Sequence, residues 1–120
     1  MYEQDYIMRM VAEFVRLLGM IFFGQGSVEY HLPEDGEYTE LDLLHLQLVK
    51  LIEQGCINEA EDLLFEGLNT ESKIYLKLVL DFYRRLNDLD DEFLEQNDFP
   101  RDEIKQGLGE LANKFGIPLD

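Results

Sequence analysis

The sequence contains one cysteine, no tryptophan, three prolines and two histidines among its 120 residues. A single cysteine, Cys56, cannot form an intrachain disulfide, so nothing marks the chain as a disulfide-stabilised secreted scaffold. Two histidines without cysteine pairs are too few for a zinc site. Because no proline-rich or Ser/Gly-rich run resembles a linker, the sequence predicts one domain over residues 1–120.

Basic residues are also scarce. Ten lysines and arginines stand against 26 acids, which gives a formal net charge of −16. The negative electrostatic potential of such a chain repels phosphate backbones and anionic membranes, so we expect neither nucleic acid nor a membrane as partner. A solvated acidic surface is typical of a small soluble protein. An acidic regulator that mimics nucleic acid is an alternative.

The chain has no long uncharged apolar run. The most apolar segment, residues 7–23, is interrupted by Arg9, Glu13 and Arg16, and no uncharged stretch reaches the ~18 residues of a membrane span. Acids rather than bases precede this segment, which is unlike a signal peptide. We therefore expect a cytoplasmic protein.

No catalytic motif is legible. An EF-hand loop beginning at Asp88 would need glycine and glutamate where the chain has Phe93 and Phe99. A Gly-x-Ser-x-Gly elbow is missing as well. Cys56 lies at a helix junction, which favours a small buried apolar residue over a nucleophile. The sequence thus predicts no cofactor, no metal site and no enzymatic activity.

Apolar residues recur at intervals of three and four along most of the chain, and no alternating strand pattern competes. This periodicity predicts an all-α domain of five to six helices. The predicted segments are Glu3–Phe23, a helix from Thr39 to the glycine at 55, Asn58–Gly67, Glu71–Asn87, Asp90–Gln96 and a last helix from Pro100 to a cap at Gly116. The loop between the first two segments is expected to pack on the core through Val28, Tyr30 and Leu32.

Helix-capping residues are predicted at three helix starts. Thr39 and Asp42 form a capping-box pattern, Asn58 is placed to cap the third helix, and Asn69 or Thr70 the fourth. The second helix is apolar nearly all round, which predicts a central, buried position.

The segment Leu44–Leu68 resembles a tetratricopeptide repeat. Gly55 stands at the inter-helix turn of that repeat, Ala60 at its small contact position and Leu64 near its large second-helix residue. The resemblance implies an antiparallel helical hairpin and a groove for peptides. One repeat is fewer than the roughly three that a solenoid needs, so the first and last helices must close the core.

The whole chain also resembles a family of short uncharacterised bacterial proteins, a domain of unknown function. The resemblance is carried by the opening segment Met1–Arg9 and by Asn97–Ile104, followed by Gly107 and Leu108. It implies a bacterial source, and it transfers no activity or functional residue.

The first helix has more apolar residues than one core-facing stripe requires. Its heptad-spaced positions form a stripe that can dock onto the core or onto a second copy of the chain; they are Ile7, Met10, Phe14, Leu17 and Ile21. Met8, Val15, Met20 and Phe23 lie outside that stripe and are predicted to form a partner surface. The expected partner is another protein or a second copy of the chain, which would give a homodimer through helix one.

These observations favour a non-enzymatic, TPR-like helical protein-protein interaction module. One alternative is a small enzyme or ligand carrier with a pocket between helices, built from Tyr30, His31, His45 and Tyr83. The other alternative is the acidic nucleic-acid mimic.

Overall fold

The computed structural model describes the backbone of residues 2–117 and the side chains of residues 4–117. Within that part of the chain every regular element is a helix, which confirms the all-α prediction. The helices are α1 (Tyr2–Phe23), α2 (Glu40–Glu53), α3 (Ile57–Glu66), α4 (Lys73–Asn87), α5 (Asp91–Gln96) and α6 (Arg101–Lys114). None of the helices in the described range combines the length and the apolarity that a membrane span requires.

α4 is the central helix of the domain. Ten of its 15 residues are buried, and it packs against α1, α2 and α6. The prediction that α2 is the central, buried helix is wrong. α2 contacts only α3 and α4 extensively, so Leu43 and Leu46 on its far side are exposed. Although α2 has apolar residues around most of its circumference, only the side that faces α3 and α4 is buried.

The start of α2 follows the predicted capping box. The Thr39 hydroxyl accepts a hydrogen bond from the Asp42 amide at 3.2 Å, and the Asp42 carboxylate accepts one from the Thr39 amide at 2.9 Å. The cap of α4 differs from the prediction. It is Ser72, whose hydroxyl accepts from the Tyr75 amide, whereas Asn69 caps only a local turn at the Glu71 amide.

A tight turn joins α2 to α3, as predicted. Gly55 has φ +82°, a conformation that suits glycine. The Gly55 amide donates to the Ile52 carbonyl at 3.0 Å, and the Cys56 amide donates to the Leu51 carbonyl at 2.8 Å. Ala60 is fully buried, but Cys56 is half-buried rather than buried as predicted. The helix–turn–helix is thus confirmed, while its likeness to a tetratricopeptide repeat stays a prediction.

Asn58 does not cap α3. The residue at the cap position is Cys56, which makes no side-chain capping bond. The Asn58 amide group instead donates to the backbone carbonyl of Asp98 at 3.1 Å. The side chain therefore ties α3 to the segment between α5 and α6, which local sequence could not reveal.

Arg101 fixes the return from α4 through α5 to α6. The side chain is buried, and its Nε donates to Asp91 at 2.8 Å. Its two terminal nitrogens donate to the backbone carbonyls of Asn87 and Leu89 at 2.9 and 2.6 Å. One guanidinium thus satisfies the carbonyl of the last residue of α4, which has no helical partner of its own, and a carbonyl just beyond the helix.

The loop between α1 and α2 is packed against the core, as predicted. Val28 and Tyr30 are buried and Leu32 is partly buried. The loop passes so close over α1 that a Cβ on Gly19 would lie 2.6 Å from the carbonyl oxygen of Gln25. Glycine at position 19 therefore permits this approach, which carries Tyr30 towards α2 and α4.

Candidate functional site

A buried carboxylate at the middle of α4 anchors the strongest polar cluster. The Asp81 side chain is 1% exposed. Its Oδ1 accepts hydrogen bonds from the Tyr30 amide at 3.1 Å and from Arg84 at 2.8 Å, and its Oδ2 accepts one from Arg85 at 2.7 Å. Burial alone would raise the pKa of Asp81, but the bonds from Arg85, the Tyr30 amide and Arg84 outweigh burial and lower it. The carboxylate is therefore ionised and fully paired.

Tyr30 connects this carboxylate to the start of α2. Its hydroxyl donates to Asp42 at 2.6 Å, and its ring lies 4.7 Å from the ring of His45. Burial and the neighbouring Asp42 carboxylate raise the pKa of Tyr30 far above its usual value. The Tyr30 hydroxyl bond and the Thr39 amide in turn lower the pKa of Asp42. Tyr30 is thus a neutral donor to a charged acceptor.

His45 lies in the same cluster but forms no hydrogen bond with Asp81. Its Nδ1 lies 3.7 Å from the Asp81 carboxylate, which is beyond hydrogen-bonding distance. Burial lowers the pKa of His45 by more than the Asp81 carboxylate raises it. A neutral imidazole could act as a base only for a substrate within about 3 Å, and the His45 side chain is enclosed by Leu48, Phe82 and other core residues. The cluster thus holds the α1–α2 loop, α2 and α4 together.

A shallow groove lies next to this cluster, between α2 and the end of α4. Its volume is about 270 Å³, and its lining is Val49, Ile52, Glu53, Arg84, Arg85, Asp88 and Leu89. Arg84 Nε is buried there with no acceptor among the residues that the structure describes. Drug-sized ligands occupy pockets of ~300–1,000 Å³, so this groove suits a smaller molecule or one side chain of a partner.

An acidic notch lies on the other side of α4, beside α6. The Tyr83 hydroxyl donates to Glu61 at 2.6 Å, and Gly107 leaves space for both groups, since a Cβ there would overlap the Glu61 carboxylate. Burial, with Glu103 and Glu110 nearby, raises the pKa of Glu61. Among the described side chains, no three histidine, cysteine or acidic residues are arranged to hold a metal ion.

One side of α1, which we term the outer face of α1, exposes several large apolar side chains. It comprises Tyr6, Met10, Leu17, Met20 and Ile21. Leu17 and Ile21 are 48% and 59% exposed, Tyr6 and Met20 are also exposed, and Met10 is partly buried. Positions 6, 10, 17 and 21 share one side of a helix, and position 20 flanks them. These side chains therefore line one side of α1, and the exposed Glu13 lies between Met10 and Leu17 on that side.

The sequence model of a family of unknown function, DUF6483, matches residues 1–116. The chain belongs to DUF6483. No curated protein and no solved structure matches it. Membership of DUF6483 confirms the predicted resemblance to a family without established function, and it assigns no role to any of the clusters described above.

The partner surface predicted for this DUF6483 chain is only partly exposed. Met8 and Met20 lie at the surface, and Phe23 is partly buried, with the Lys77 ammonium 5.3 Å from its ring centre. The prediction that Val15 lies on an exposed face is wrong, because it is 6% exposed and packs in the core. Conversely, Leu17, which belongs to the stripe predicted to dock onto the core or onto a second copy, is exposed and does not dock on the core.

The inter-helix site proposed from Tyr30, His31, His45 and Tyr83 is not assembled as a unit. Tyr30 and His45 are in contact, but the His31 side chain is 76% exposed and lies near Glu29. The Tyr83 hydroxyl belongs to the acidic notch with Glu61.

Sequence reasoning missed the centre of the polar cluster. Asp81 was not singled out, and neither were Arg84 and Arg85, which lie three and four positions after it. An acid in the apolar run Leu76–Tyr83 with two bases one turn later was the available signal, since this spacing puts all three on one side of a helix.

Proposed function

We propose that this protein is a non-enzymatic helical protein-interaction module and that it binds its partner through the outer face of α1. The observation that carries the proposal is the exposure of four large apolar side chains on one side of α1, Tyr6, Leu17, Met20 and Ile21. Isolated exposed apolar residues are ordinary, whereas several of them grouped on one side of a helix are typical of an interaction site.

The shape of this surface fits recognition between helices. The stripe extends from position 6 to position 21, which is about 22 Å along a helix axis. Partners that bind such a surface insert apolar side chains at intervals of three and four residues between those of the stripe. We keep the TPR-like hairpin of α2 and α3 in the proposal as a second binding surface. Leu43 and Leu46 on α2 are exposed and provide a smaller apolar patch there.

The polar clusters support a non-enzymatic role. Asp81 has three donors from its own chain, and Tyr30 and Tyr83 each donate to a carboxylate. Catalytic groups need contact with a substrate, whereas these groups are engaged in holding helices and a loop together.

Paired substitutions on α1 test the proposal. Leu17→Glu adds a second charge to the outer face, one turn after Glu13, and Ala12→Glu places the same charge at an exposed position on a different side of α1. Immobilised wild-type protein and both variants are compared for capture of proteins from cytosol of the native source. We expect the L17E variant to lose partners that wild type and A12E retain.

The result that would overturn this proposal is equal capture by all three proteins, each shown by circular dichroism to be folded. The partner surface would then lie elsewhere on the molecule.

A second candidate function is binding of a small carboxylate ligand in the groove between α2 and α4. It is favoured by the buried, acceptor-free Nε of Arg84 beside the apolar side chains of Val49 and Ile52. Short-chain carboxylates at millimolar concentration should then raise the thermal midpoint, and Arg84→Lys should abolish the rise because lysine has no Nε donor. No rise with wild type would reject this candidate.

A further inference from the structure

We propose that the occupant of the outer face of α1 is α1 of a second copy of this chain, bound antiparallel about a two-fold axis. This inference rests on the proposed function, since it names the partner for the same face. Three independent features of α1 point to a second copy: its low charge, its heptad spacing and a self-complementary pair of charges.

The first feature is the distribution of charge. Residues 17–28 contain no acidic or basic residue, although 30% of the chain is charged. Across residues 2–23, three acids and two bases leave a net charge of −1, so residues outside α1 carry nearly all of the −16. Two strongly acidic chains repel each other. α1, with its low net charge, is therefore a surface on which two such chains can approach at a small electrostatic cost.

The second feature is the position of the heptad residues relative to the core. Ile7, Met10 and Phe14 are partly buried, while Leu17 and Ile21 are exposed. The heptad seam thus lies at the boundary between the core and solvent. A second helix laid along that boundary would cover these five residues together with Tyr6 and Met20, in the manner of an a/d seam.

The third feature fixes the direction. Glu13 and Arg16 form an exposed pair, 3.2 Å apart, in the middle of α1. If a two-fold axis passes beside residues 14–15, Glu13 of each copy faces Arg16 of the other. The dimer then contains two such ion pairs between the chains. Antiparallel packing also sets the positive end of each helix dipole beside the negative end of the other. Parallel packing would instead place Glu13 beside Glu13.

The size of the face sets the expected strength. Only one helix stripe contributes, and its side chains are about half covered already. The interface therefore falls at or below the ~1,200 Å² of stable complexes, and a Kd of about 10–100 µM is expected. Since the net charges repel, raising the salt concentration should strengthen the dimer.

Sedimentation velocity between 5 and 500 µM tests the association. Wild type and Ala12→Glu should change from the 14.1 kDa chain mass to twice that mass, whereas Leu17→Glu should stay monomeric at every concentration. Wild type that remains a monomer at 500 µM and high salt overturns the inference. If L17E nevertheless loses a different captured protein, the proposed function stands and the occupant is that protein.

Charge reversal tests the direction. Glu13→Arg and Arg16→Glu should each weaken association about 3–10-fold, because each places like charges opposite one another. The double variant restores complementarity and should return the Kd to within about twofold of wild type. A double variant as weak as the single variants rejects the antiparallel arrangement.

Spin labels give an independent readout of direction in a Cys56→Ala background. A label at Arg16→Cys lies close to the proposed axis, so its distance to the second copy should be short. A label at Tyr6→Cys should be about 25–30 Å from its equivalent, given a rise of 1.5 Å per residue. Equal distances at the two sites indicate parallel helices and overturn the proposal.

Discussion

The polar cluster around Asp81 and the outer face of α1 invert the usual distribution of side chains. A charged group is 1% exposed in the first, whereas Leu17 and Ile21 are about half exposed in the second. The buried carboxylate finds every donor within its own chain, from a loop amide and two arginines. The apolar face finds no cover within the described chain. The polar groups of the first region are therefore satisfied within the folded monomer, while the second region leaves apolar side chains in contact with solvent, which the proposed partner would cover.

This comparison predicts that removing Asp81 destabilises the monomer severely. Asp81→Ala leaves the Tyr30 amide without its acceptor and leaves Arg84 and Arg85 facing a cavity, which should cost about 3–5 kcal/mol of unfolding free energy. Urea denaturation monitored by circular dichroism measures the loss.

Asp88→Ala is the matched control. Asp88 also pairs with Arg84, at 3.7 Å, but its side chain is 66% exposed. An exposed pair contributes little, so its loss should change the unfolding free energy by less than about 1 kcal/mol. Equal losses for the two variants would show that burial of Asp81 does not determine its contribution.

A second, smaller effect concerns the α2–α3 contact. Ala60 is fully buried beyond the Gly55 turn, so Ala60→Leu should overpack the hairpin and cost about 1–3 kcal/mol. The thermal midpoint measures this change. Ala60→Ser serves as the size-matched control and should cost less, and an unchanged midpoint for Ala60→Leu would mean that the two helices separate easily.

The sequence predicted the helices better than their orientations. Periodicity located the six helices of the described residues, and the Thr39–Asp42 box is in place, whereas the predicted caps of α3 and α4 are not. α1 and α2 were misoriented because both are apolar around most of their circumference, so periodicity has no unique direction there. The packing of α4 and α6 decides that Val15 is buried and Leu17 is not.

The candidate site was less predictable because it is built from distant segments. Tyr30 meets Asp42 across a loop, and its amide meets Asp81, which is 51 positions away. Local patterns contain no information about such pairs. The i, i+3, i+4 spacing of Asp81, Arg84 and Arg85 was the one local signal.

A third prediction concerns pH and is smaller again. Burial lowers the pKa of His45 in the folded protein below its ordinary 6.5. The unfolded chain then binds more protons than the folded one between the two pKa values, so stability falls as pH decreases below about 6.5. Because Asp42 and Asp81 have lowered pKa values, they stay ionised at these pH values. They therefore change the stability with pH only in more acidic solution.

Denaturation at pH 7.5 and 5.5 measures this effect. His45→Gln removes the titrating group but keeps a polar side chain, so the stability difference between the two pH values should shrink in that variant. The raised pKa of Glu61 has the opposite effect on the pH dependence of stability. The stability that it contributes is lost as pH rises through its pKa in the folded protein. A difference unchanged by H45Q would assign the pH dependence to other groups.

The smallest expected effect is on the outer face of α1 itself. Leu17→Glu should change the unfolding free energy by no more than about 0.5 kcal/mol when measured at 5 µM, below the Kd expected for the proposed dimer, because the side chain already contacts water. Leu18→Glu, one position along, should unfold the protein, since Leu18 is 1% exposed. At 500 µM wild type should become more stable than L17E, because a dimer that binds only the folded state adds to its stability. A large loss for L17E at 5 µM would mean that Leu17 already packs within the monomer, and the contrast between a completed interior and an open face would then be wrong.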